Sequence, residues 1–189
     1  MMRRGFLATA VVVVTVVPSV GSGTPTDTAA PTPVNAAKVR LFHGIGGATI
    51  GMSRADVVAT LGRPLQESAF GLMSYSTHGI LDISLTRPGR RGHARQFVAV
   101  GMGFCAEGVK GACSLRRGSL RAMLRAYPHK FRRVVDVTRD TIYWWCGRVQ
   151  GRAVSSSFNV DPRRGMILTW YVVNHGKRCP TIAQVREGR

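Results

Sequence analysis

Acidic side chains are the scarcest chemistry in this chain: nine Asp and Glu stand against 27 Lys and Arg in 189 residues. The acids of the folded part, Asp82, Glu107, Asp136, Asp140 and Asp161 among them, fall mostly at expected turns, so a glycosidase-like carboxylate pair has no support. No cysteine precedes Cys105, which excludes the acylated N-terminal cysteine of a bacterial lipoprotein. No Cys-x-x-Cys pair exists to bring two thiolates to zinc from one turn. His43, His78, His93, His129 and His175 are dispersed, without a His-x-x-x-His pair. Ser155-Ser156-Ser157 lacks the Gly-x-Ser-x-Gly elbow, and on a strand its hydroxyls alternate between faces. Gly101-Met102-Gly103-Phe104-Cys105-Ala106 matches a dinucleotide fingerprint only in letters, since no helix begins there to receive a pyrophosphate. No cofactor is therefore expected.

Long apolar runs are also missing. The one candidate, Phe6 to Val17, is well short of the about 20 residues that span a bilayer. It follows the positive start Met1–Arg4 and precedes Pro18, Ser19 and Gly21, the order of a secretion signal. Residues 1–22 are read as a signal peptide, with no transmembrane segment left after cleavage. Residues 23–37, rich in Pro, Thr and Ala, cannot bury apolar surface and are read as a flexible linker. Residues 38–180 have the length of one ordinary domain, and residues 181–189 form a tail.

The cysteines that are present, Cys105, Cys113, Cys146 and Cys179, are even in number. In an exported chain they read as a disulfide framework. Three connectivities are open; the favoured one joins Cys105 to Cys113 around a small Gly-rich loop and Cys146 to Cys179, tying the tail to a strand. The formal net charge of +18 is spread over every segment, mostly as arginine. Scatter of that kind attracts anionic polymers through a salt-screened field without specifying one, and it specifies no nucleic acid.

Ser53-x-x-Asp56 followed by Val57, Val58 and Leu61, with Gly62 and Pro64 behind, carries the start, apolar stripe and stop of a short helix. Gly118 to Pro128 aligns with it without a gap, placing Ser119 on Ser53 and Met123 and Leu124 on Val57 and Val58. Strand-like segments follow each helix: Leu72–Ser76, Gly79–Thr86 and Arg95–Met102 after the first, then Arg133–Val137, Thr141–Cys146, Arg152–Val160 and Met166–Val173 after the second. The expected class is α+β, with two helix-plus-β-meander units (about 45–104 and 105–180) forming one antiparallel sheet and two short helices on one face. Alternation assigns Met166, Leu168, Trp170 and Val172, with Val154, Phe158 and Val160 and with Leu81, Ile83 and Leu85, to the covered face.

Gly51-Met52-Ser53 with Val57, then Leu61-Gly62-x-Pro64, resembles the domain of the outer-membrane assembly lipoproteins called BamE or SmpA/OmlA. The doubled arrangement resembles the tandem-repeat β-lactamase-inhibitory proteins, and the resemblance covers about residues 45–173. It implies a sheet that grips a partner. The missing lipidation cysteine departs from the first family.

The aromatic clusters Tyr143-Trp144-Trp145 and Trp170-Tyr171 supply the candidate contacts. Trp170 and Trp144 are expected to fill the core. Tyr143, Trp145 and Tyr171, with Ser155, Ser157, Asn159 and Thr169, are expected on the open face, where exposed aromatics serve interfaces. The reading is a secreted, noncatalytic module binding a protein or cell-envelope component. Its alternatives are an arginine-mediated polyanion binder and a cell-wall hydrolase.

Overall fold

The computed structural model describes residues 38–76 and 79–187. The expected signal peptide, the linker, His78 and the last two residues of the tail lie outside the described residues.

Helix α1 (Arg54–Leu61) forms where its caps are. Ser53 Oγ accepts the Asp56 N–H at 3.2 Å and donates to Asp56 Oδ2 at 2.6 Å. Gly62, at φ 82°, closes the other end with its N–H on the Val58 carbonyl. Helix α2 (Ser119–Ala126) begins differently. Its N-cap is Gly118, left-handed at φ 78°, with no side-chain cap. Ser119 is already helical and fully buried, and its Oγ accepts the Ile167 N–H at 2.8 Å. The second serine is thus a tertiary tie where a cap was expected, and the reason is that an extended neighbouring strand brings it an unpaired amide.

Strands β1 (Lys38–Arg40), β2 (Gly44–Ile45), β3 (Ala48–Thr49) and β8 (Cys105–Ala106) make a small sheet in the order β3-β2-β1-β8, with β1 and β8 parallel. Strands β4 (Gln66–Glu67), β5 (Leu72–Ser76), β6 (Gly79–Leu85), β7 (Ala94–Gly101), β9 (Arg132–Val135), β10 (Thr141–Val149), β11 (Arg152–Asp161) and β12 (Met166–Gly176) make an eight-stranded sheet. Its order is β4-β5-β6-β7-β12-β11-β10-β9. A five-residue helix, α3 (Ile182–Arg186), starts on a Thr181–Gln184 capping box.

The expected α+β fold of two helix-plus-meander units on one sheet is therefore corrected. Strands hold 46% of the described residues and helices 14%, so the chain is mostly β, with two sheets and three small helices. The helices are too short to make a layer of their own. Much of the cover over the large sheet comes from the small sheet, whose β1–β8 pairing joins segments far apart in the chain, a contact that no local periodicity announces.

One face of the large sheet is the core. Met73, Leu81, Ile83, Phe97, Phe158, Trp170 and Val172 meet Val57 of α1, Met123 of α2 and Val39 and Ile45 of the small sheet in a single cluster. Burying each such side chain contributes roughly 1.5–3 kcal/mol relative to exposure. Trp170 also donates Nε1–H to Ser114 Oγ at 2.8 Å, which removes the cost of a buried, unpaired donor.

The pairing of β12 with β11 slips twice, at His175 near one end and at Leu168 near the other. Asn159 pairs with Thr169 but Val160 pairs with Ile167, leaving Leu168 as an extra residue. Ile167, not Met166 or Leu168, is therefore fully buried beside Val160. The expected inward pair Met166 and Leu168 is half-buried, because the bulge shifts the phase by one residue.

Candidate functional site

The described residues leave much of the other face of the large sheet uncovered. Register places a row across six strands on it: Ser74, Asp82, Val98, Tyr171, Ser157 and Trp144. A second row runs Ile80, Val100, Thr169, Asn159, Ile142 and Val134. Paired residues share a face, so both follow from the ladders alone.

Tyr171 lies at the centre, half-buried. Burial raises its phenol pKa above the ordinary value; a hydrogen bond with Thr169 opposes the shift, and the charges of Asp140 and Asp136 add to it. Around it stand Val98, Ser157 and Thr169, and beyond them Val100 and Ile80, which keep 44% and 53% of their surface exposed. Ser74 donates to Asp82 at 2.6 Å, which satisfies the carboxylate at the near end. Asn159 Oδ1 is buried without a hydrogen-bond partner among the described residues.

Of the residues expected on this face, Ser155, Ser157, Asn159, Thr169 and Tyr171 lie on that side of the sheet, but Ser155 and Thr169 are buried, at 2% and 9% exposed. Tyr143 and Trp145 are not. Tyr143 pairs with Phe158 and stacks on it at 5.5 Å between centroids, on the core side. Trp145 pairs with Ser156 and packs edge-on against Phe42 and Phe131, at 4.5 and 5.5 Å, and beside Tyr127 at 5.9 Å. The Tyr127–Phe131 segment that follows α2 sets the phase of β10 opposite to the expected one by offering Trp145 an aromatic socket. Trp144 consequently points the other way and is still only 9% exposed.

The tail accounts for that burial. Cys146 shares the Trp144 side of β10, and its disulfide to Cys179 brings the chain after β12 across this end of the sheet. Val137 N–H bonds to the Arg186 carbonyl, and Trp144 and Cys179 line one small cavity. The β9–β10 end of the face is roofed by this segment, while the β6–β7–β12 part is not. Sequence reasoning missed Ile80, Asp82, Val98 and Val100. Their alternation with Leu81, Ile83, Phe97 and Ala99 was the available signal, but only the β7–β12 pairing sets them beside Tyr171.

Ser155 Oγ and His175 Nε2 lie 2.7 Å apart. Ser155 is 2% exposed, and the imidazole pKa is lowered by burial and by the charge of Arg95, with no carboxylate among the causes. An attacking serine needs access to a substrate carbonyl and a base oriented by a third group. This pair instead closes the end of β12 over β11.

All four cysteines are in disulfides, Cys105–Cys113 and Cys146–Cys179. Two bridges in one modest domain mark an extracytoplasmic protein of the disulfide-bonded, mostly β kind. Among the described residues, no helix is long and apolar enough to cross a membrane. No protein-family model and no curated protein matches the chain. Among solved structures, a cysteine-rich secretory protein from Staphylococcus aureus subsp. aureus Mu50 superposes with a TM-score of 0.44 at 11% identity, over 76% of this chain and 48% of that one. The chain thus spans about half the length of that protein, and likeness at this level carries no function across.

Proposed function

We propose that this is a secreted, noncatalytic binding module that engages a protein or cell-envelope component through the uncovered part of its large sheet. The observation that carries the reading is the strip Ile80–Val100–Val98–Tyr171, semi-exposed apolar surface continuous across β6, β7 and β12. A tyrosine flanked by small polar groups gives large contact area at low entropic cost, which suits a hot spot.

A photo-crosslinking side chain in place of Val100 tests it in the producing cells. The expected result is one discrete adduct, reduced several-fold when Tyr171→Ala is added, with the melting temperature of Tyr171→Ala close to the parent. Trp145→Ala, by contrast, should lower stability by at least about 2 kcal/mol, since it empties an aromatic socket. An adduct indifferent to Tyr171, or the same adduct from a crosslinker at Arg90 in the β6–β7 turn, would sink the reading.

A further inference from the structure

A second surface lies away from the uncovered sheet face. Helix α2 and the turn between β11 and β12 flank an open groove of about 680 Å³. Arg121 and Arg125, one helical turn apart, stand on one wall, and Arg163 and Arg164 on the other. Leu120 and Leu124, both half-buried, supply apolar lining.

Among the described residues, no carboxylate lines this groove. The nearby acid, Asp161, is occupied: its Oδ1 accepts the backbone N–H groups of Arg163 and Arg164, and Arg164 Nε lies 3.6 Å from its Oδ2. Four arginines therefore line one space with a single partial neutralisation. The walls are tied together. Leu120 N–H bonds to the Gly165 carbonyl at 3.2 Å, Leu115 N–H to the Ile167 carbonyl at 2.7 Å, and Ile167 N–H to Ser119 Oγ at 2.8 Å. A groove stitched in this way is formed before any ligand arrives, which lowers the ordering cost of binding.

Planar guanidinium forks match phosphate oxygens in pairs. Among the described residues, no aromatic side chain lines the groove to give the stacking platform that single-stranded nucleic acid uses. The groove has leucines instead, and the exposed Leu115 and the cations Arg116 and Arg117 immediately precede α2. Cations around an apolar floor suit an amphiphile with a phosphate at its polar end. We propose that the groove between α2 and the β11–β12 turn seats the phosphate headgroups of anionic lipids, so that the exported chain rides on a membrane surface. The site is independent of the partner face centred on Tyr171.

Co-sedimentation of the full secreted chain with phosphatidylcholine vesicles, with and without phosphatidylglycerol, at about 0.15 M salt tests this. The parent should bind only the vesicles that contain phosphatidylglycerol. Arg121→Gln with Arg163→Gln should weaken that binding by about thirtyfold, two surface charges at roughly fivefold each. Arg90→Gln with Arg91→Gln, which removes the same charge from the β6–β7 turn, should stay within about twofold. All these arginines are exposed, and matching melting temperatures check that each variant is folded. Equal losses in both pairs would show a diffuse field and overturn the site, as would equal binding to phosphatidylcholine alone. Groove-dependent binding to soluble inorganic polyphosphate with none to vesicles would overturn the lipid.

Discussion

Ser53 and Ser119 begin helices of the same length, yet they stabilise the chain by different means. Ser53 caps an exposed helix start, where truncation to Ala costs about 0.5–2 kcal/mol. Ser119→Ala removes the acceptor of the buried Ile167 N–H, and a buried donor left unpaired costs about 1–3 kcal/mol. Urea melts should therefore rank Ser119→Ala as the more damaging of the two, and the reverse order would show that Ile167 finds another acceptor. His175 adds a pH dependence. Folding lowers its proton affinity, chiefly by burial and then through Arg95, so below its ordinary value of 6.5 the unfolded chain binds more protons than the folded one. Stability from this group is complete above that value and falls as pH drops below it. His175→Asn should flatten the decline in melting temperature between about pH 7 and pH 5. An identical slope in parent and variant would assign the decline to other groups.

At the scale of elements, the tail is as much a part of the large sheet's surface as its strands are. The Cys146–Cys179 bridge closes a loop with a sequence separation of 33 residues, against 8 for Cys105–Cys113. Chain entropy then predicts that removing the first costs about 4 kcal/mol and the second about 2.5 kcal/mol. The first loss also has an optical signature. Cys146→Ser with Cys179→Ser should release the tail from Trp144 and raise tryptophan quenching by acrylamide, while Cys105→Ser with Cys113→Ser should not. Unchanged quenching in the first variant would mean that the roof over Trp144 stays in place without its covalent tie.

For the whole molecule, charge is the dominant unbalanced quantity. The acids of the described residues are largely engaged, as in Arg54–Glu67 (2.5 Å) and Arg40–Glu107 (2.8 Å), so most of the excess arginine has no internal counterion. Self-repulsion at a formal net charge of +18 opposes compaction and is screened by salt. The melting temperature should rise between about 0.01 and 0.2 M NaCl, where the Debye length shortens to below 10 Å. A flat or falling curve would show that local ion pairs outweigh the net repulsion.

The sequence by itself determined what depends on near neighbours. Alternating apolar residues set most strands of the large sheet close to their observed ends, Ser53-x-x-Asp56 and Gly62 bound the first helix, and an even set of cysteines with two plausible loops matched the bridges that form. On the candidate site, the side of the sheet taken by Ser155, Ser157, Asn159, Thr169 and Tyr171 was legible from period two alone, because β11 and β12 keep their phase from the Val154–Asn174 pair to the Asn159–Thr169 pair; that Ser155 and Thr169 are buried there was not. Only the tertiary structure decided the rest. Leu168 enters as a bulge and exchanges Ile167 for Met166 and Leu168 in the core, the socket at Tyr127 and Phe131 turns Trp145 inward and Trp144 outward, and β1 reaches β8 to build a second sheet. Each of these is settled by an energy that exists only once distant segments meet: a buried amide finding Ser119, an indole finding two rings, a strand edge finding a partner.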